Sequence, residues 1–470
     1  MPMLPSLSRR EALCHFACGF GSVALAGLLA AEAEARATND PLAPKPPHFA
    51  AKAKRVIFLF MHGGVSHVDT FDPKPKLAEM NGKPLPFAKP QFEFGGTGNL
   101  LASPWKFHKH GQCGTEISEL FPHVGALADE FCVIRSMNGG NEVSHGPACL
   151  RLNTGDGVFN RPSLGAWTLY GLGTENRDLP GFISLSPSLY HGGAQNYGSA
   201  FLPASYQGTR VGDGSTPWAK AALANATPAD SSELQRMQLD LLAGANRSHL
   251  TRVGSDARLE ARIEGFELAF RMQTAAPSVF DLSKESAKTH ALYGIGENPT
   301  DEYGQQCLLA RRLVEAGVRF VQVNHSYPRN YWDAHSDLRN NHSSGAKKVD
   351  RPIAGLLKDL KARGMLADTL VVFATEFGRT PAAQGTDGRD HHPNAFSIWL
   401  AGGGVRGGIT YGLTDEFGYY VADKKVTLPD FHATILHLLG LDHEKLTFRH
   451  AGRDFRLTDV SGEVVRPILA

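Results

Sequence analysis

Between Val371 and Pro393 the chain reads VVFATEFGRTPAAQGTDGRDHHP. An apolar run, Val371 to Ala374, stops at Glu376. A short loop is then expected to carry Arg379, Asp387, Arg389, Asp390, His391 and His392. Acids, guanidiniums and adjacent imidazoles just past a core strand are costly to hold together unless they share a ligand or a cation. Arg379 and Arg389 could clamp an oxyanion bidentately, or pin two loops as an arginine–carboxylate lattice. Glu376, Asp390, His391 and His392 could be metal ligands or an acid–base pair.

Three more clusters have the same placement. His62-Gly63-Gly64-Val65-Ser66-His67-Val68-Asp69 follows the apolar run Arg55–Met61. Its two glycines would let backbone approach a ligand; the stretch also reads as a strand-to-helix turn capped by Ser and Asp. Ser144-His145 offers a hydroxyl that could act as a nucleophile if a base or metal activates it, or simply cap a helix. In Trp332-Asp333-Ala334-His335 the Asp-x-His pairing suits zinc or manganese, which take mixed oxygen and nitrogen ligands. Strand ends converge in a parallel sheet, so the four clusters are expected to form one site.

The elements that must hold them are legible as alternating strands and helices. Strands are expected at Arg55–Met61, 131–136, 318–323, 369–374 and 396–401. Helices are expected at 120–129, 302–316, 351–363 and 431–439, with Pro352 in the first turn of the third and Gly364 ending it. That alternation predicts a mainly parallel sheet covered on both faces, a three-layer α/β/α sandwich. Residues 73–115 read as an irregular excursion. Residues about 190–296 read as an insertion, loop-rich at first and polar-helical from 231 to 275, within one domain spanning 54–470.

Ahead of that domain, Ser8-Arg9-Arg10 precedes an apolar run from Phe16 to Ala31 and Ala-x-Ala sites ending at Ala35 and Ala37. Residues 1–37 therefore read as a twin-arginine signal peptide that engages the twin-arginine export machinery and delivers a periplasmic protein, with no stable membrane insertion after cleavage. Residues 38–53 read as an extended or disordered Pro/Ala linker. Of six cysteines, Cys113, Cys132, Cys149 and Cys307 follow the leader; no CxxC pair occurs, and one or two disulfides are compatible with export. Lys+Arg 48 against Asp+Glu 47 gives a net charge of +1, and with no basic stripe this argues against a nucleic-acid partner.

The succession HGGVSHVDTFDPKP, RPSLGAWTLYGLGTEN, YWDAHSD, TEFGRTP, GRDHHP and ATILHLLGL resembles the exported proteins grouped as domain of unknown function 1501, from about Arg55 to the C-terminus. That family is placed in the alkaline phosphatase-like superfamily with sulfatases and phosphatases. The resemblance implies an alkaline phosphatase-like fold and a metal-dependent site for phosphate or sulfate esters. It departs from the superfamily pattern at several positions. His62 stands where an Asp is usual, and Glu376-Phe377-Gly378 stands for Asp-His-Gly. In the sulfatase register the nucleophile position is His145, so Ser144 or water would attack.

Together these readings give an exported hydrolase of a small-molecule or glycan ester. A divalent ion (zinc, manganese or calcium) would be held by Asp69, Asp333, His335, Asp390 and His391. Ser144, His145, Glu376 and Arg379 would be catalytic, and His62, His67, Arg389 and His392 would contact substrate. The alternative is a non-catalytic module, built on a degenerate hydrolase fold, that binds an anionic glycan or a protein.

Overall fold

A computed structural model describes residues 40–87, 96–221, 231–254 and 257–470. The leader, residues 1–37, lies outside the described residues. Val56–Met61 is a run of consecutive apolar residues, and the strand Arg55–Met61 that contains it sits at the heart of a nine-stranded sheet. Its neighbours are Thr369–Ala374 and Phe320–His325, both parallel to it. The sheet continues on one side through Phe396–Ala401 and Phe131–Asn138 to Ile409–Tyr411, and on the other through Phe182–Leu185 to Thr209–Val211. Phe396–Ala401 runs antiparallel to both its neighbours; the other strand pairs of this sheet are parallel.

Alternation along the central strand divides two cores. Ile57, Leu59 and Met61 pack with Leu309, Leu313, Ile353, Leu356 and Leu360 from the helices Asp301–Glu315 and Leu338–Ala362. Val56, Phe58 and Phe60 pack with Leu152, Leu169, Ile435 and Leu436 from the helices His145–Thr154, Leu164–Leu172 and Leu428–Leu438. The result is the expected three-layer sandwich. Among the described residues no helix is long and apolar enough to cross a membrane.

Several elements differ from the sequence expectation. The helix expected at 351–363 begins at Leu338, so Pro352 lies in its interior. Its first half is polar in sequence, yet it buries His342, Gly345 and Ala346; an ideal Cβ at Gly345 would lie 2.9 Å from the Trp332 ring. The helix expected at 120–129 shrinks to Pro122–Gly125 and a single turn at Ala128–Glu130. The loop expected after Glu376 is a buried hairpin, Gly378–Gln384 with Gly388–His392, joined by Thr97–Leu100 from the excursion. The described part of the linker, residues 40–53, is docked, not free. Lys45 N donates to Leu172 O, and Lys52 N and Ala53 N both donate to Leu438 O. Within the 190–296 segment, Thr209–Val211 joins the central sheet, and Ser232–Val253 pairs with Ala257–Phe280 through the bidentate Arg236–Glu267 contact. The four cysteines are free thiols, and burial pushes that of Cys132 up to about 12.

Under the hairpin lies a fully buried ion pair. Arg389 Nε and Nη2 donate to Asp69 Oδ2 and Oδ1 at 2.7 and 3.1 Å, and Ser66 Oγ donates to the same carboxylate. Burial alone would raise the Asp69 pKa; Arg389 outweighs it and holds the carboxylate ionised. Removing one partner of such a pair strands the other charge. Asp69→Ala should lower unfolding stability by about 3–5 kcal/mol, and Asp69→Leu with Arg389→Met should recover most of the loss, as read by denaturant titration.

Buried neutral histidines give a second expectation. Burial, opposed by Asp69 and reinforced by Arg379 and Arg389, pushes His342 down to about 3. Its Nε2 accepts the Ser66 N–H at 3.1 Å, which only a neutral ring can do. The unfolded chain takes up this proton near pH 6.5 and the folded chain does not. Stability is therefore complete above about pH 6.5 and lost progressively toward pH 3. In chelator, the pH-dependence of the unfolding free energy should be shallower for His342→Gln by roughly one proton over that window.

Candidate functional site

The C-terminal ends of the three adjacent strands deliver the first groups. His62 follows Arg55–Met61, Glu376 follows Thr369–Ala374, and the segment after Phe320–His325 brings Tyr331, Asp333 and His335. The first turn of the helix His145–Thr154 supplies His145, and the hairpin supplies Arg379, Asp390 and His391. The two glycines after His62 serve this assembly, not a ligand. An ideal Cβ on Gly63, at φ +119°, would lie 2.5 Å from Trp332 N, and one on Gly64 would lie 2.7 Å from the Phe377 ring.

At the centre is Asp333 Oδ1. His335 Nε2 lies 3.0 Å from it, His391 Nε2 3.1 Å and His145 Nε2 3.4 Å. Arg379 Nη2 donates to the same oxygen. Each imidazole commits its other nitrogen to an acceptor behind it. His145 Nδ1 meets Glu376 Oε1 at 2.7 Å, His391 Nδ1 meets the Val143 carbonyl, and His335 Nδ1 meets Gln384 Oε1. With a proton at Nδ1 directed to each acceptor, a neutral ring offers its Nε2 lone pair to a cation, whereas an imidazolium donates from Nε2 to the Asp333 carboxylate. Ligand histidines of a metal site are held in this manner. His335 and His391 face each other at 3.0 Å between their Nε2 atoms. His145 Nε2 is buried without a hydrogen-bond partner. Asp390, with His335 and His391, extends the group. His145, Asp333 and His391 offer ligand atoms within 4.8 Å of one another, as do His335, Asp390 and His391, and each mixed nitrogen–oxygen trio fits a divalent cation.

The titration behaviour follows from burial and this crowding. Burial favours the neutral form of Asp333, but the three imidazoles and Arg379 outweigh it and hold its pKa far below the carboxylate range. Burial opposes Glu376 ionisation too; its hydrogen bond from His145 and the nearby His62 bring it down to about 2. Burial lowers His391 to about 4 and His62 to about 3. His335 is raised, first by Asp333, whereas burial raises Asp390.

A second group lies behind the first: His62, Cys149 and Glu376 offer ligand atoms within 4.8 Å of one another, and His62 Nδ1 has no hydrogen-bond partner. His62 Nε2 meets His191 Nδ1 at 2.9 Å. His191 was not among the sequence candidates. It stands alone before two glycines in a loop-rich stretch and carries no local signal. Tyr331, packed on His62 and His145, and Gln384 were missed for the same reason.

Other candidates fall outside the cluster. Asp69 and Arg389 form the buried pair beneath the hairpin, so they face each other and not the imidazole cluster. His67 and His392 are buried, 6.1 Å apart as stacked rings, with Nε2 held by the carbonyls of Gly418 and Tyr419. Arg379 is in the cluster but not available to a ligand. Its Nε bonds Gly64 O, its Nη1 bonds Arg389 O, and its Nη2 bonds Gly63 O and Asp333. For both arginines the lattice reading replaces the clamp. Ser144 caps the helix position without a side-chain capping bond, and no acid or base hydrogen-bonds its hydroxyl among the described residues.

Among curated proteins no sequence matches this chain. Solved structures with a similar course include the lipoteichoic acid synthase LtaP from Listeria monocytogenes, at 11% identity and TM-score 0.38, covering 89% of this chain and 79% of that one. The PsFucS1 sulfatase from Pseudoalteromonas sp. has 13% identity and TM-score 0.35, covering 83% and 68%. The alkaline phosphatase from the Antarctic bacterium TAB5 has 10% identity and TM-score 0.35, covering 83% and 99%. Residues 53–469 match the family described as "Protein of unknown function (DUF1501)", and since that span holds the whole central sheet and every member of the cluster, the chain belongs to the DUF1501 family.

Proposed function

We propose that this protein is a metal-dependent hydrolase of phosphate or sulfate esters. The observation that supports it is the convergence of three Nε2 atoms, each ring held by an outer hydrogen bond at Nδ1, on Asp333 Oδ1. His145, His335, His391 and Asp333 would hold the ion, with Asp390 at its edge and His62 and Glu376 on the inner side. A bound divalent ion would polarise the ester and lower the pKa of a water molecule. This nitrogen-rich set suits zinc, or manganese less well, and it lacks the six to eight oxygens that calcium takes.

The chain's own groups position the rest. Glu376, the Val143 carbonyl and Gln384 fix the tautomers of the three imidazoles. Arg379 keeps Asp333 ionised and pointed inward. Water attack would break the P–O or S–O bond; the water oxygen stays with the anion, and a proton passes to the departing alcohol. With its hydroxyl unengaged by any base, Ser144 is the weaker candidate for the attacking group.

The full internal use of Arg379, together with the unassisted Ser144, favours a second reading, an anion-binding module without turnover. Metal analysis and a panel of aryl phosphates and sulfates separate the two. The hydrolase reading expects about one or two zinc or manganese ions per chain and turnover lost to chelator and restored by the ion. Gln384→Leu should weaken metal affinity by about 10–100-fold while leaving the chain folded. Absence of both metal and turnover would sink it. The export reading has its own test: Arg9→Lys with Arg10→Lys should hold the protein in the cytoplasmic fraction, and unchanged periplasmic recovery would overturn it.

A further inference from the structure

Four tyrosine and histidine rings lead outward from the cluster in unbroken contact. The Tyr331 ring packs on His145 with centroids 5.1 Å apart and on Tyr327 at 4.8 Å. Tyr327 packs on Tyr190 at 5.3 Å, and His191 lies against Tyr327 at 5.3 Å. The rings come from two segments, 190–191 and 327–331. The first is pinned to the cluster by the His191–His62 hydrogen bond. At the outer end Tyr190 is 54% exposed, beside Leu189 at 47%. None of the three phenol hydroxyls is engaged by another protein group among the described residues.

This wall is continuous with the site at one end and open to water at the other. An aryl group would gain most from an enclosed apolar slot. An open tyrosine face suits a body that is apolar on one side and hydroxylated at its edge, with free phenols to meet those hydroxyls. We propose that the ester is carried on a saccharide: its phosphate or sulfate lies at the imidazole cluster and its sugar ring stacks on the Tyr327–Tyr190 face. This rests on the hydrolase reading for the position of the ester, but not for the stacking of the ring. Hydrolysis releases the sugar alcohol and the inorganic anion.

Tyr190→Ala is the test, since Tyr190 is exposed and outside the cluster. Kinetics on glucose phosphate and glucose sulfate, on methyl phosphate and methyl sulfate, and on phenyl phosphate and phenyl sulfate give the three arms. The expected result is a KM raised about 10-fold for the sugar esters, in the range of an aromatic stacking contact, with kcat and the methyl esters unchanged. An equal change for methyl esters, no change for sugar esters, or a larger loss for phenyl esters would overturn the proposal. If nothing is hydrolysed, calorimetric titration with glucose oligosaccharides still decides the wall. Binding weakened by Tyr190→Ala keeps the platform while the hydrolase reading fails, and no saccharide binding removes it.

Discussion

The site depends on one buried guanidinium. Arg379 is fully buried and divides its donors among the carbonyls of Gly63, Gly64 and Arg389 and the carboxylate of Asp333. Those four acceptors belong to three separate stretches: the turn after the central strand, the segment after Phe320–His325, and the second strand of the hairpin. A planar fork with fixed donor directions sets their mutual geometry in a way a lysine could not. The buried charge is tolerable because Asp333 neutralises it and every nitrogen of the fork has a partner. The glycines follow from the same constraint. Only without side chains at positions 63 and 64 can the turn offer both carbonyls to Arg379 while Trp332 N and the Phe377 ring press against it.

An arginine used in this way leaves the chemistry to the imidazoles. Asp333 accepts from the buried Arg379, which helps hold it ionised, so it is poorly suited to act as an acid. The rings are pre-set by outer acceptors rather than by one another. A cation entering among them would displace no strong hydrogen bond at Nδ1; it would only replace the cramped Nε2 contacts around Asp333 Oδ1. That is the physical sense in which the site is arranged before any ion binds, and why its ring orientations rest on Val143, Gln384 and Glu376 as much as on the ligands themselves.

The sequence made some of this legible. Continuous apolar runs located Arg55–Met61, Thr369–Ala374 and Phe396–Ala401 closely, because strands buried on both faces leave no alternation to misread. Asp333, His335, His391 and Glu376 were legible as polar groups placed just beyond such strands. The hairpin was not, since GRTPAAQ and GRDHH are polar stretches with neither alternation nor β-branched enrichment, yet the structure buries most of both. The first half of Leu338–Ala362 was hidden for a related reason: its polar residues pack against Trp332, and no apolar period marks the helix. Adjacent residues also parted company. His391 enters the cluster whereas His392 turns to the Tyr419 carbonyl, and Asp69 goes to Arg389. Which of two neighbouring polar groups faces the cluster is decided by tertiary partners distant in sequence.

Phe377 shows how the departures from the superfamily pattern fit together. It stands where the resemblance leads one to expect an imidazole, and it is wholly buried with its ring 4.9 Å from His145 and 4.4 Å from His391. At this position an aromatic wall presses two imidazoles into place. His62 likewise replaces an expected carboxylate, and Gly63 N and His145 share Glu376 Oε1 as acceptor. Measured against that resemblance, His62 puts a nitrogen where an oxygen is expected, Glu376 keeps a carboxylate, and Phe377 removes an imidazole. Here Asp333, Glu376 and the Nδ1 atoms of His145, His335 and His391 each retain a partner of matching charge or hydrogen-bonding sense.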